Sequence, residues 1–82
     1  MAVIPATAGI GQIAAALGQF ETVVLLKVKP LFADILELIR QTGRENSTLF
    51  VERVGSSRQI VLTDFSQIAA HSPYYLSLLI IK

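Results

Sequence analysis

The stretch Gly9-Ile10-Gly11-Gln12-Ile13-Ala14 comes nearest to a chemical motif in this chain. It has the form of the glycine-rich turn that follows a strand and opens a helix in dinucleotide-binding folds. In such a turn the glycines let the backbone approach a pyrophosphate, and the helix start attracts its charge. Ala2-Val3-Ile4 is a candidate for the preceding strand. Against this, Pro5 and Thr7 fall inside the loop, where tight packing is wanted. Lys27 and Lys29 stand where an acidic residue should follow the next strand. A chain of 82 residues is also too short for two mononucleotide-binding halves. Small residues in an apolar helix explain the match without a ligand. An N-terminal fragment of a dinucleotide-binding fold stays as an alternative.

The other chemistry-bearing residues are isolated. His71 is the single histidine, with Ser72 beside it and Asp64 seven positions upstream. Nucleophilic catalysis needs a base placed on a nucleophile and oriented by a third group, and adjacency in sequence does not provide that. His71 therefore reads as a polar loop residue. Asp34 and Glu37 are one helical turn apart, as acid–base carboxylates can be. With Arg40 as the i+3 partner of Glu37 they read as a solvated face. Arg40, Arg44, Arg53 and Arg58 could gather where a helix end meets a hairpin, but Glu45 and Glu52 are interleaved with them. Nucleic-acid binding surfaces carry a larger positive excess. Asn46-Ser47-Thr48 fits a glycosylation acceptor, which has meaning only in a secreted protein. No catalytic residue, cofactor-binding residue or metal ligand is expected.

Elements must position whatever works here. Residues 1–8 read as extended, because Pro5 turns Ile4 away from helical backbone. Residues 10–20 read as a helix, with Ile10, Ile13, Ala14, Leu17 and Phe20 on one face. Its interior glycines weaken it by roughly 1 kcal/mol each, so it needs packing to form. Residues 22–29 alternate as a strand, with a continued helix as the rival. Pro30 opens a second helix whose stripe is Leu31, Phe32, Ile35, Leu36, Leu38 and Ile39, and Gly43 sits where a C-terminal cap belongs. Residues 47–54 and 59–65 read as a hairpin around Gly55-Ser56-Ser57-Arg58. Asp64 or Ser66 can cap a short helix that Pro73 ends. Residues 74–81 form an almost continuous apolar run, the pattern of a strand buried on both faces.

These elements predict a small single α+β domain spanning residues 1–82. Residues 1–20 would be an apolar arm or helix. Residues 21–82 would hold an amphipathic helix on a mostly antiparallel sheet of three to four strands. The order helix (Asp34 to Ile39), strand (Ser47 to Val51) and Phe65 to Ala70 resembles small bacterial signalling domains. Their glycines are replaced here by Asn46 or Ser47 and by Ser66. A small ligand-binding or signalling module is accordingly another alternative.

Composition points elsewhere. Hydrophobic residues make up 52% of the chain, the net charge is +1, there is no cysteine, and no ionisable side chain precedes Glu21. A folded chain of this mass exposes roughly 4,800 Å² and buries about 63% of its surface, which leaves apolar area to cover. The absence of cysteine excludes disulfides and thiolate metal sites. No basic segment precedes Ala2, so no secretory signal is expected; the localisation stays unknown, the cytoplasm or an assembled particle being the readings kept. Polar residues among the first 20 dilute any spanning segment, so a membrane is not an expected partner, nor is nucleic acid. The glycine- and alanine-rich start has the texture of a viral fusion peptide, but no long heptad repeat follows it. The function expected is that of a non-enzymatic structural or assembly subunit, a virion component being one form. It would self-associate or dock on protein through Ile10, Ile13, Leu17, Phe20, Tyr74, Tyr75, Leu76 and Leu78.

Overall fold

A computed structural model describes residues 1–74 and 76–82. The chain begins with strand β1 (Ala2–Pro5), a 3-10 turn (Ala6–Ala8) and helix α1 (Ile10–Gln19). Strand β2 (Val23–Leu26), a second 3-10 turn (Lys29–Leu31) and helix α2 (Phe32–Thr42) follow. Strand β3 (Thr48–Glu52), strand β4 (Ile60–Leu62), helix α3 (Phe65–Ala70) and strand β5 (Ser77–Ile81) complete it. The strands form one five-stranded sheet in the order β1-β2-β5-β3-β4.

The α+β reading holds, with two corrections. First, the sheet is mostly antiparallel as expected but has five strands rather than three or four: β1 pairs in parallel with β2, while the other pairings are antiparallel. The extra strand comes from the segment expected to be an arm. Residues 1–20 form no separate arm, because Ala2 to Pro5 lie in register beside Val23 to Leu26. A strand, a helix and a parallel strand make a βαβ unit, in which the helix must fold back on the sheet. Second, the strand in the final apolar run is Ser77–Ile81, and its residues alternate between buried and half-buried. It is not buried on both faces.

Register explains the alternation, since directly paired residues share a face. Val23, Ile81 and Thr48 make one row, and Leu25, Leu79, Phe50 and Leu62 make the next. These rows meet Ile13 and Leu17 of α1, Ile35, Leu36 and Ile39 of α2, and Ile68 of α3 in a single core. Phe32 meets Phe50 edge-on, with ring centroids 5.8 Å apart.

Local chemistry sets the helix ends. Gly43 takes φ +71°, and its N–H donates to Arg40 O while Arg44 N–H donates to Ile39 O. That pair of bonds is the glycine-requiring C-terminal cap expected from the sequence. Asp64 accepts from Ser66 N–H at 3.0 Å and so caps α3. Helix α1 departs from the expected face. Ala16 is buried and Ala14 exposed, and Phe20 lies outside the helix with extended backbone.

Candidate functional site at the carboxyl ends of the strands

The pairing order makes β1, β2 and β3 run in the same direction, so their carboxyl ends emerge together. In sheets with parallel strands this is where ligands bind. A groove of about 480 Å³ lies there. Its walls come from Leu26 at the end of β2 and Lys27 after it, Arg53 and Val54 after β3, Tyr74 and Leu76 before β5, and Leu78 within β5. A second hollow of about 400 Å³ shares Lys27 and Leu76 with it and adds Thr7, Lys29 and Pro30. Lys27, Lys29 and Arg53 make this rim basic, and neither hollow is lined by a carboxylate.

Backbone geometry singles out the same place. Among the described residues, Lys27 (φ +57°) and Arg53 (φ +56°) are the non-glycine residues with left-handed backbone. Each follows the last residue of a strand, and each lines the groove. Such conformations cost of order 1 kcal/mol or more and gather at functional sites.

Behind the groove lies a carboxylate that neighbouring sequence does not reveal. Glu52, the last residue of β3, is only 3% exposed. Its Oε1 is 2.9 Å from His71 Nε2 and accepts from Tyr74 N–H at 2.8 Å. Its Oε2 is 3.9 Å from Arg53 Nε. Burial alone would raise the Glu52 pKa. The hydrogen bonds from His71 and Tyr74, with the charges of His71 and Arg53, outweigh it and hold the carboxyl below its ordinary value. Arg53 closes the arrangement: its guanidinium lies 4.0 Å from the centre of the Tyr74 ring, and its backbone N–H donates to Leu76 O at 2.8 Å. Ser77 Oγ also donates to Tyr74 O. His71, Tyr74 and Leu76 are thereby fastened to the end of β3.

The sequence-derived candidates fare unevenly. His71 is held by Glu52, 19 residues upstream, rather than by Asp64 or Ser72. It also packs on Phe50 at 5.2 Å between ring centroids. Glu37 and Arg40 pair at 3.5 Å on an exposed face, as i+3 spacing predicts. The four arginines do not gather. Arg44 precedes β3 and donates to Leu17 O at 2.6 Å, Arg53 follows the same strand, Arg40 lies over Phe65, and Arg58 is exposed in the hairpin turn. A strand between Arg44 and Arg53 keeps them at opposite ends of the sheet.

The glycine-rich turn does join a strand to a helix, with Gly9 at φ +100°. A side chain built at Gly11 would meet nothing within 4 Å, so close packing does not require that glycine. Among the surface residues expected, Ile13 and Leu17 are buried in the chain's own core and Ile10 packs against it. Phe20 (40%) and Leu76 (57%) are exposed, Tyr74 and Leu78 are half-buried, and Tyr75 lies outside the described residues. The described residues contain no cluster of His, Cys, Asp or Glu able to hold a metal ion, and no helix long and apolar enough to cross a membrane.

No family model matches the chain, and no curated protein matches it in sequence. Solved structures match its fold. Uroporphyrin-III C-methyltransferase from Thermus thermophilus, complexed with S-adenyl homocysteine, superposes with a TM-score of 0.68 at 19% identity. The match covers 98% of this chain and 40% of that one. The native form of the same enzyme gives 0.69 at 19% identity, covering 98% and 38%. Identity this low shows the fold alone, a fold found within an enzyme. This chain spans about two-fifths of its structural neighbours.

Proposed function

We propose that this chain is one lobe of a methyltransferase acting on a tetrapyrrole, with S-adenosylmethionine as methyl donor. The observation that carries the reading is the coincidence of a near-complete fold match with a groove at the carboxyl ends of β1, β2 and β3. The donor supplies a methyl group activated on a sulfonium sulfur. Direct transfer of that group asks the protein for orientation and water exclusion before acid–base chemistry. The groove suits such work. Its volume falls within the roughly 300–1,000 Å³ typical of small-molecule sites. Leu26, Leu76 and Val54 offer apolar surface to a heterocycle, and Lys27 and Arg53 offer charge to a carboxylate. The assembly role expected from composition enters here as the docking of this lobe onto the rest of an enzyme.

Titration of S-adenosylhomocysteine into the ¹⁵N-labelled chain tests this. Saturable shifts at the Lys27, Arg53 and Leu76 amides are expected, weakened by Lys27→Glu. If no amide of the groove moves at about 1 mM, weaker than about −4 kcal/mol, the reading is wrong.

A further inference from the structure

Glu52 is not among the residues that line the groove, yet two of those residues meet its carboxylate. Its Oε1 accepts from the Tyr74 N–H at 2.8 Å and lies 2.9 Å from His71 Nε2. Its Oε2 faces Arg53 Nε at 3.9 Å. With the His71 hydrogen on Nε2, all three neighbours are donors, so the position calls for two acceptor oxygens and a negative charge. Arg53 depends on that charge. Its Nε is buried with no hydrogen-bond partner among the described residues, and a cationic edge so placed is costly unless an anion faces it. Arg53 also keeps left-handed backbone at φ +56° while its O accepts from Ser56 N–H to open the hairpin turn. Strain of that kind persists where the surroundings fix it. The guanidinium then lies 4.0 Å from the centre of the Tyr74 ring. Both members of this stack are therefore anchored on one side chain: the Tyr74 backbone through Oε1 and the Arg53 guanidinium through Oε2.

We infer that Glu52 is a positioning residue of the groove: from behind, its carboxylate holds Arg53 and Tyr74 stacked as one wall, which a ligand meets without touching Glu52. The direction of its contacts selects this role over one in stability alone. Arg53 and Tyr74 line the groove, while His71 packs on Phe50 at 5.2 Å between ring centroids and so ties the carboxylate to the core. The charged and titratable side chains that face Glu52 are His71, after α3, and Arg53, after β3; Tyr74 faces it with its backbone N–H. Its ladder partners, Ser77 of β5 and Ile60 of β4, carry no charge. The carboxylate is thus the one element common to both halves of the wall, as a group that fixes a site through its supporting shell must be. The inference rests on the groove being a binding site, as the methyltransferase reading has it, but the wall itself can be observed without a ligand.

NMR of the 82-residue chain tests it. Stacking sets the Arg53 side-chain protons over the Tyr74 ring, whose ring current displaces them upfield. Glu52→Gln is nearly isosteric but turns an amide NH₂ towards donors. That displacement should be lost in the variant while the α2 amides keep their shifts. S-adenosylhomocysteine should bind it at least about tenfold more weakly than wild type. In wild type the displacement should also fade as pH falls through the depressed folded value of Glu52, before circular dichroism reports unfolding. Should Glu52→Gln fail to fold, this wild-type profile carries the test. A displacement that persists in Glu52→Gln, or that in wild type lasts until the chain unfolds, would overturn the inference. So would an unchanged affinity for S-adenosylhomocysteine where the wild type binds it. If the wild type does not bind it at about 1 mM, the methyltransferase reading falls, while loss of the displacement in Glu52→Gln still upholds the role of Glu52 in the wall.

Discussion

The two faces of one sheet differ in what they meet, and little in what they contain. On the covered face, Leu25, Phe50, Leu79 and Ile81 are fully buried beneath the helices. On the other, Val24, Leu78 and Ile80 are as apolar and alternate with them along the same strands, yet remain half-exposed. The covered face even holds the polar exceptions, Thr48, Glu52 and Ser77. Each has a partner there. Thr48 Oγ1 donates to Arg44 O, Ser77 Oγ donates to Tyr74 O, and Glu52 accepts from His71 and Tyr74. Hydropathy along a strand therefore does not tell which side is core. What distinguishes the sides is where the connections run, and whether a buried polar group can find its hydrogen bonds.

Substitutions ordered by expected effect can break or sharpen that contrast. Phe50→Ala should be the most damaging, because it empties the centre of the covered face and removes an edge-on contact with Phe32. A loss of about 3–5 kcal/mol in urea unfolding is expected. Leu36→Ala, on the helix that covers this face, should lose about 2–5 kcal/mol by the same measurement. If either leaves the urea midpoint unchanged, the covered face has been misidentified.

Glu52→Ala should follow, at about 2 kcal/mol, since it strands the Tyr74 N–H and the His71 ring nitrogen beside a cavity. The same carboxylate predicts a pH effect. Its pKa lies lower in the folded chain than in the unfolded one. Its contribution is then fully present above the ordinary carboxylate range and fades as pH falls through the depressed folded value. Acid titration of wild type against Glu52→Gln should show a constant gap above the ordinary carboxylate range, closing as pH falls through the depressed folded value. Parallel curves across that range would remove Glu52 from the account.

Gly43→Ala should cost about 1 kcal/mol through the left-handed cap, measured as a lower melting temperature. Smallest of all, Arg40→Ala should cost under about 0.5 kcal/mol, because its pair with Glu37 is exposed. A larger loss would place weight on the Arg40–Phe65 contact rather than on the ion pair.

Local signals were legible without the structure. The stripe of α2, its Gly43 cap, the hairpin through Gly55 and the Asp64 cap each depend on residues within a few positions of one another, where spacing and geometry are directly linked. The groove was not legible. Lys27 and Arg53 are 26 positions apart and meet only because β5 pairs between β2 and β3. The partner of His71 was equally hidden. Asp64 and Ser72 are nearer in sequence, but pairing β3 with β4 and β5 brings Glu52 beneath the loop that carries the histidine. One signal could have raised Glu52 earlier: at two-residue spacing from Phe50 it falls on the buried side of its strand, where an acid needs partners.

By itself, then, the sequence determined the α+β class, the helix ends and the apolar surplus, because these follow from composition and from contacts three or four residues apart. Tertiary structure decided that Ala2 to Pro5 pair as a strand, that one sheet face is covered and the other open, and that three basic residues and a buried carboxylate share the carboxyl ends of the strands. The physical reason is strand order. Side-chain alternation states that a strand has two faces, but only the pairing of distant strands and the side on which helices cross decide what each face meets.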